Sequence, residues 1–494
     1  MSDVATWVKR ADALKPASQL FIDGKYVDAA SGATFDSISS RDGRLNAKIA
    51  AGDTEDINRA VAAAKNAFDS GVWSEMNPRD KKAIMLKWSQ LILEHKEELA
   101  LLETLDTSKP IGDTLAVDVP GAARTIQWYG EALDKIYDEI APAPRTALAM
   151  ITREPLGVVG AVVPWNYPMI IASWKIAPAL AMGNSVVLKP AENSSMSALL
   201  LARLATEAGL PNGVFNVVTG LGAQAGQALA RHMDVSKLAF TGSGATGRKM
   251  LQYAAESNMK SVQLELGGKS PHVVLDDVAD LDACASAIAW GIYYNAGQTC
   301  NAGSRLIVQG GVKEELFARI GAFIKTFKVG DPLDSTTQMG PIVSKLQRDR
   351  VNAYLNLVGA EGENFVFGGV GPTSDDCLLQ PTLIDGVKHN SRLSQEEIFG
   401  PVLVALEAKT EAEALEMANG TEFGLAAAVW SGNITRAHKF ARKVRAGTVW
   451  INTFDMSDVI TPFGGFKQSG SGRDKSLHAL DNYSALKTTW VDLN

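Results

Sequence analysis

A multidomain α/β protein built on mostly parallel sheets is the fold class this sequence predicts. Three observations predict it: a length of 494 residues, short β-branched runs alternating with longer Ala/Leu-rich segments from residue 156 onward, and Gly, Pro or Asn at each change. At about 150 residues per domain the length points to roughly three domains, with two to four allowed. Hydrophobic residues at 46% and charged residues at 21% suit a large buried core and exclude a disordered chain.

The strands of the first series read LGVVGAVV (Leu156 to Val163), SVVLK (Ser185 to Lys189), VFNVV (Val214 to Val218), KLAFT (Lys237 to Thr241) and SVQLEL (Ser261 to Leu266). Between them lie helical patterns of about ten to fourteen residues, long enough for βαβ crossovers. Strands this apolar are buried on both faces, so helices cover the sheet above and below and ligands gather at its carboxyl ends. A second series starts with HVVL at His272. It continues with RLIV at Arg305, a long helix from Val312, a Gly-rich stretch over 359–372 and AAAVW at Ala426. The segment before residue 139 reads as helix-rich and is expected to wrap the first sheet. Ala141 to Arg153 and Asn482 to Asp492 alternate like exposed strands, which predicts pairing with each other or with another subunit.

Charge and composition narrow the function classes. Forty-eight Lys+Arg against fifty-five Asp+Glu gives −7, and without a basic run neither nucleic acid nor an anionic membrane is expected as partner. The uncharged run from Pro155 to Trp174 is near the length of a membrane span. Pro164, Asn166 and Pro168 interrupt it, so it reads as strand, turn and buried helix. Three cysteines, Cys284, Cys300 and Cys377, and six scattered histidines provide neither a disulfide framework nor zinc spacing, and no metal is expected. Met1 to Lys15 lacks an apolar h-region, so a cytoplasmic setting is expected.

Two local signals point to chemistry. In AFTGSGATGRKM a strand ends at Thr241, and Gly242-Ser-Gly244-Ala-Thr-Gly247 opens a helix. That is either a Rossmann-like phosphate cradle or an ordinary Gly-rich turn. On the simple fingerprint, Glu265, eighteen residues past Gly247 (265 − 247), would hold the cofactor ribose. Cys300 lies in NAGQTCNAG, a loop of small and polar residues between a helix and a strand. It is either a thiol nucleophile or an incidental cysteine.

The strings PWNYP at 164, KPAE at 189, FTGS at 240, ELGGK at 265, GQTC at 297, EEIFGP at 396 and PFGG at 462, taken in order, resemble the NAD(P)-dependent aldehyde dehydrogenase superfamily over nearly the whole chain. That resemblance implies a Rossmann-like NAD-binding domain (1–138 and 156–267), a second α/β catalytic domain (268–476) and a β-ribbon for oligomerisation (139–155 and 477–494) that joins a homodimer or homotetramer. It implies that Cys300 attacks an aldehyde, that the Asn166 amide and the Cys300 N–H hold the oxyanion, and that Glu265 is the general base rather than the ribose acid. Glu192, with Lys189 nearby, takes the ribose role and favours NAD over NADP. Trp165, Gly242, Ser243, Gly247, Leu266, Glu397 and Phe399 complete the implied cofactor set, and Lys175 stands on a possible proton path.

The implied substrate funnel comprises Asp118, Tyr167, Trp174, Tyr294, Thr299 and Asp458, with Ile171, Gly121 and the loop Phe454 to Phe463. Two acids at its mouth, Asp118 and Asp458, are expected to attract an ω-amino or ω-guanidino aldehyde, and Gly121 is expected to widen the entrance. A general aliphatic or betaine-type aldehyde is the alternative substrate. The intact Cys300, Asn166 and Glu265 weigh against a CoA-acylating relative or a structural protein of the same fold. Glu192 weighs against a reductive NADPH enzyme. One departure stands out: many relatives carry Glu after the Arg of GSGRD, where this chain has Asp474.

Overall fold

The computed structural model describes residues 4–372 and 376–494; the first three residues of the N-terminal stretch read above lie outside the described residues. The five strands of the first series form the parallel centre of an eight-stranded sheet. Val158–Val162 and Ser185–Lys189 are buried at every position, which is why they read as unbroken apolar runs. From Val158–Val162 the chain steps outward through Ser185–Lys189 to Phe215–Val217. It then returns to the opposite side, where Val235–Thr241 pairs with Val158–Val162 and Ser261–Glu265 follows. The reversal creates a switch point, the place where an open α/β sheet leaves a crevice at its carboxyl ends.

The first fifty residues differ from expectation. Leu20–Ile22 and Lys25–Val27 form a hairpin on the sheet's outer edge, and Thr34–Ile38 pairs with Leu45–Ala50. The first two strands have three residues each, too few for a period of two to show. The helices Thr54–Asp69, Pro78–Glu94, Lys96–Thr107 and Val119–Ala132 follow. They bury Trp73, Trp88 and Tyr129 in the same core as the sheet.

A second, seven-stranded sheet carries Pro271–Val274 at its centre, between Arg305–Gln309 and Ala426–Trp430. All its pairings are parallel except the one made by Asn364–Phe367, which lies within the Gly-rich stretch. Late in the chain, Gly470–Ser471 leaves this body and pairs antiparallel with Leu264 and Glu265 of the first sheet. Ser484–Asp492 pairs with Ala147–Pro155 over nine positions, and Glu139–Ala141 adds a third strand. Of the two partners expected for the ribbons, the chain itself supplies one. Among the described residues no helix is long and apolar enough to cross a membrane, and no cluster of ligating side chains suits a metal.

Candidate active site

The carboxyl ends of the first sheet face the Cys300 loop of the second body across a cavity of about 380 Å³. Trp165, Asn166, Gly242, Ser243, Glu265, Leu266, Cys300, Glu397 and Phe399 line it. An adjoining cavity of about 410 Å³ shares Gly242 and Ser243 and extends to Lys189 and Glu192. Gly247 lies beneath, where an added Cβ would stand 2.8 Å from the Leu266 side chain. The two cavities therefore gather the residues implied for catalysis and cofactor from strand ends far apart in sequence. They also contain Gln347 and Arg350, which the sequence reading missed because they sit on an ordinary amphipathic helix, Lys345–Leu355.

Ser243 is the N-cap of the helix Gly244–Ala255, and its hydroxyl accepts from the Thr246 N–H. The N-cap borders both cavities and the first turn, through Thr246, borders the second; a helix start of this kind favours an anion. Glu192 is half exposed and stands 3.4 Å from Lys189 Nζ. Glu265 ends its strand with both carboxyl oxygens buried and without a hydrogen-bond partner. Burial, then the charge of Asp474, raises its pKa well above the carboxylate range against Lys175 and Arg473. Gly267 and Gly268 come next for steric reasons. A Cβ on Gly267 would meet the Glu397 carboxyl at 2.1 Å, and one on Gly268 the Cys300 carbonyl at 2.6 Å. Glu397 Oε1 accepts from the Gly268 N–H at 3.0 Å, and burial pushes its pKa to about 7. Phe399 stands edge-on to Trp165 with centroids 5.4 Å apart.

Cys300 is presented by a backbone that turns three times the same way. Asn295, Ala296 and Gly297 have φ of 49°, 53° and 70°, after which Gln298 anchors the loop by accepting from the Val343 N–H. Asn166 Nδ2 donates to Gln298 O at 3.0 Å, and Asn295 Nδ2 to Asn166 O at 3.1 Å. The amide of Asn166 keeps a second N–H. Cys284 and Cys377 are buried, whereas Cys300 is partly exposed. Burial, followed by the carboxylates of Glu397 and Glu265, pushes the Cys300 thiol up.

Lys175 and Asp474 are both fully buried and joined at 2.6 Å, and Gln263 also donates to Asp474 at 2.8 Å. The shortened acid is thus held by two donors.

The funnel differs from the expected one. Tyr167 and Thr299 hydroxyls meet at 2.9 Å, the Tyr294 hydroxyl is buried without a partner, and Trp174 lies against Phe463 with centroids 5.3 Å apart. Asp118, however, is not at a mouth. It is wholly buried and paired with Lys109 at 2.6 Å, and that ammonium lies 3.8 Å from the centroid of the Tyr167 ring. Its charge is spent on an internal cation. Asp458 is exposed, as expected for a mouth. Gly121 does not widen the entrance, because an added Cβ would be 3.2 Å from Ile170, whose side chain occupies that space. Lys475 is the other missed residue, seated over Trp174 and Phe463. Its one sequence signal is its place directly after Asp474.

The model of the aldehyde dehydrogenase family matches residues 26–489. The NADP/NAD-dependent aldehyde dehydrogenase PuuC of Escherichia coli (strain K12) is 47% identical over 490 residues, 99% of each chain. An aminoacetaldehyde dehydrogenase of Pseudomonas aeruginosa is 48% identical over 473 residues, 96% of this chain and 95% of its own. Among solved structures, an indole-3-acetaldehyde dehydrogenase complexed with NAD+ superposes with a TM-score of 0.98 at 50% identity over the full length of both chains. A γ-glutamyl-γ-aminobutyraldehyde dehydrogenase of Burkholderia cenocepacia J2315 has the same TM-score, identity and coverage.

Proposed function

Because the chain belongs to the aldehyde dehydrogenase family, we propose that its cavity oxidises an aldehyde to the carboxylic acid through a covalent thioester on Cys300, with NAD as hydride acceptor. The observation that carries the reading is a buried, unpartnered Glu265 carboxyl lining the same cavity as the one partly exposed thiol.

The residues fit NAD on their own chemistry. The capped helix start at Ser243 suits the pyrophosphate, Glu192 and Lys189 suit the adenosine ribose, and Glu397 with Phe399 suits the nicotinamide end. When bound, NAD accepts the hydride lost by the aldehyde carbon. The chain's own groups do the rest. The thiol proton of Cys300 passes to Glu265, whose proton affinity burial raises above that of an ordinary carboxylate. The sulfur bonds to the carbonyl carbon, and the oxygen left negative takes hydrogen bonds from the second Asn166 N–H and the Cys300 backbone N–H. Hydride loss leaves the thioester. Glu265 gives up that first proton to solvent and then takes one from a water, whose oxygen bonds to the acyl carbon as the C–S bond breaks; the acid is freed, and the departing sulfur takes the proton back from Glu265 to restore the thiol.

The substrate within this reading is an aminoaldehyde, a short chain bearing nitrogen that is free, guanidinylated or acylated. The names of the Pseudomonas and Burkholderia relatives support that class. A general aliphatic or betaine-type aldehyde is the weaker alternative. A homodimer or homotetramer joined through the ribbon, and a reducing cytoplasm that keeps the thiol free, belong to the same proposal.

Variants separate the roles. Glu265→Gln keeps NAD binding and a stoichiometric burst of NADH but blocks turnover. Cys300→Ala forms no NADH, and Glu192→Gln weakens NAD. Should Glu265→Gln instead raise the NAD dissociation constant and leave turnover intact, Glu265 is the ribose acid and the mechanism is wrong.

A further inference from the structure

Lys269 directly follows Gly268, whose N–H donates to Glu397 Oε1 at 3.0 Å, and Gly267 leaves so little room that a Cβ there would stand 2.1 Å from the same carboxyl. The segment that carries Lys269 is thus pressed against Glu397. The lysine is 2% exposed, and its Nζ is buried without a hydrogen-bond partner among the described residues. It lines neither of the two cavities that suit the cofactor. It borders instead a narrow cavity of about 10 Å³ shared with Ser270 and Arg305, the size of about one water molecule. No part of a dinucleotide fits there, so whatever Lys269 does for the cofactor it does through another residue.

The charges around it point to which one. Arg305 is wholly buried and donates to three carbonyl oxygens, those of Lys269, Met417 and Ala418, at 3.0, 3.0 and 3.1 Å. Its charge repels the ammonium. Two acids act in the opposite sense, Glu397 and then Glu396. Glu396 is already held by Arg392 at 2.8 and 2.9 Å and by the Tyr354 hydroxyl at 2.8 Å. Glu397 has the Gly268 N–H and, for a cation, the field of Lys269. Burial raises its carboxyl, and the Gly268 N–H and then the Lys269 charge pull it back. In a buried site such an attraction is weakly screened and works without contact. On the cavity side the other ionisable groups are Cys300, Glu265, Arg350, Tyr354 and Arg392; of the two arginines, Arg392 serves Glu396 and Arg350 is exposed.

We propose that Lys269 is a positioning residue that holds the Glu397 carboxyl in its charged form, the form that accepts hydrogen bonds at both oxygens, for the nicotinamide end of NAD. This deepens the reading of Glu397 as a cofactor-binding acid and rests on it. A carboxyl so enclosed would otherwise keep its proton and lose part of its capacity to accept from the sugar hydroxyls.

The test is NAD binding to the whole enzyme, measured by calorimetry from pH 5.5 to 9.5 without aldehyde. The parent is expected to bind NAD about tenfold more tightly above a midpoint near 7 than below it, the scale of a hydrogen bond to a charged group. Glu397→Gln removes that step. Lys269→Met is expected to move the midpoint up by about one unit. NAD is then about two- to threefold weaker at pH 7.5, and the deficit closes at pH 9.5. Damaged packing would weaken NAD equally at both. Methionine fills the space without burying a charge, so the variant is expected to fold. In the Glu397→Gln background Lys269→Met changes NAD affinity at neither pH. If Lys269→Met leaves the midpoint in place, or the step persists in Glu397→Gln, the inference is overturned while the dehydrogenase reading stands. If the parent binds no NAD at any pH, that reading falls, and this inference with it.

Discussion

Glu397 illustrates how burial converts a side chain into a pH-sensitive one. Its carboxyl is enclosed, accepts one backbone N–H from Gly268, and has a pKa near 7 instead of the ordinary 4.5. A raised acid binds its proton more tightly in the folded chain than in the unfolded one. The stability it contributes is therefore full below the unfolded value and is lost as pH climbs through about 7. At about 1.4 kcal/mol per unit, the loss is at most about 3.5 kcal/mol. Glu397→Gln removes the titration while keeping the shape. Its Tm is expected to exceed the parent's at pH 8 and to lose that advantage at pH 5. NAD affinity should fall at both. A Tm difference that does not change with pH would mean the buried carboxyl does not titrate in this window.

At the scale of an element, the loop from Asn295 to Cys300 is set by steric exclusion. Gly297 has φ of 70°, and a Cβ there would lie 2.0 Å from Gly400 O, backbone that cannot rotate away. Gly297→Ala is therefore expected to displace the Cys300 loop. Because a misplacement of about 1 Å at a reacting group costs about 10²-fold, kcat should fall by at least that much, with the rate of Cys300 alkylation by iodoacetamide changed in parallel. Retention of both would show that the loop relaxes without moving the sulfur. This element also marks what was legible in advance. The five central strands were readable because both faces are apolar, and Cys300, Glu265 and Asn166 because each sits in a distinctive string at a strand end or loop. The N-terminal hairpins were not, since a three-residue strand has no period. Lys109 was hidden because a stretch of wide turns, Thr114–Asp118, separates it from the acid it neutralises. Lys475 was hidden because its direction depends on two left-handed residues that nothing in their side chains announces.

Across the whole molecule, the chain's late returns tie its parts together. Gly470–Ser471 crosses from the second body to pair beside Glu265, so the strand of the first sheet that carries Glu265 is completed by residues more than two hundred positions later. Ser484–Asp492 then closes the ribbon against Ala147–Pro155. That ribbon has only three strands, leaving its outer edges open and Ile140, Leu486 and Trp490 at 73%, 63% and 61% exposure. Open edges with apolar side chains favour association with another sheet, and a two-fold axis lets the same ribbon serve both copies. If the ribbon joins subunits, Trp490→Glu with Leu486→Glu should lower the molar mass measured by light scattering toward the 52.6 kDa of one chain. The cavity lies in the body of the single chain, so NAD binding should survive. A mass unchanged by both charges would place the subunit contact elsewhere on the surface.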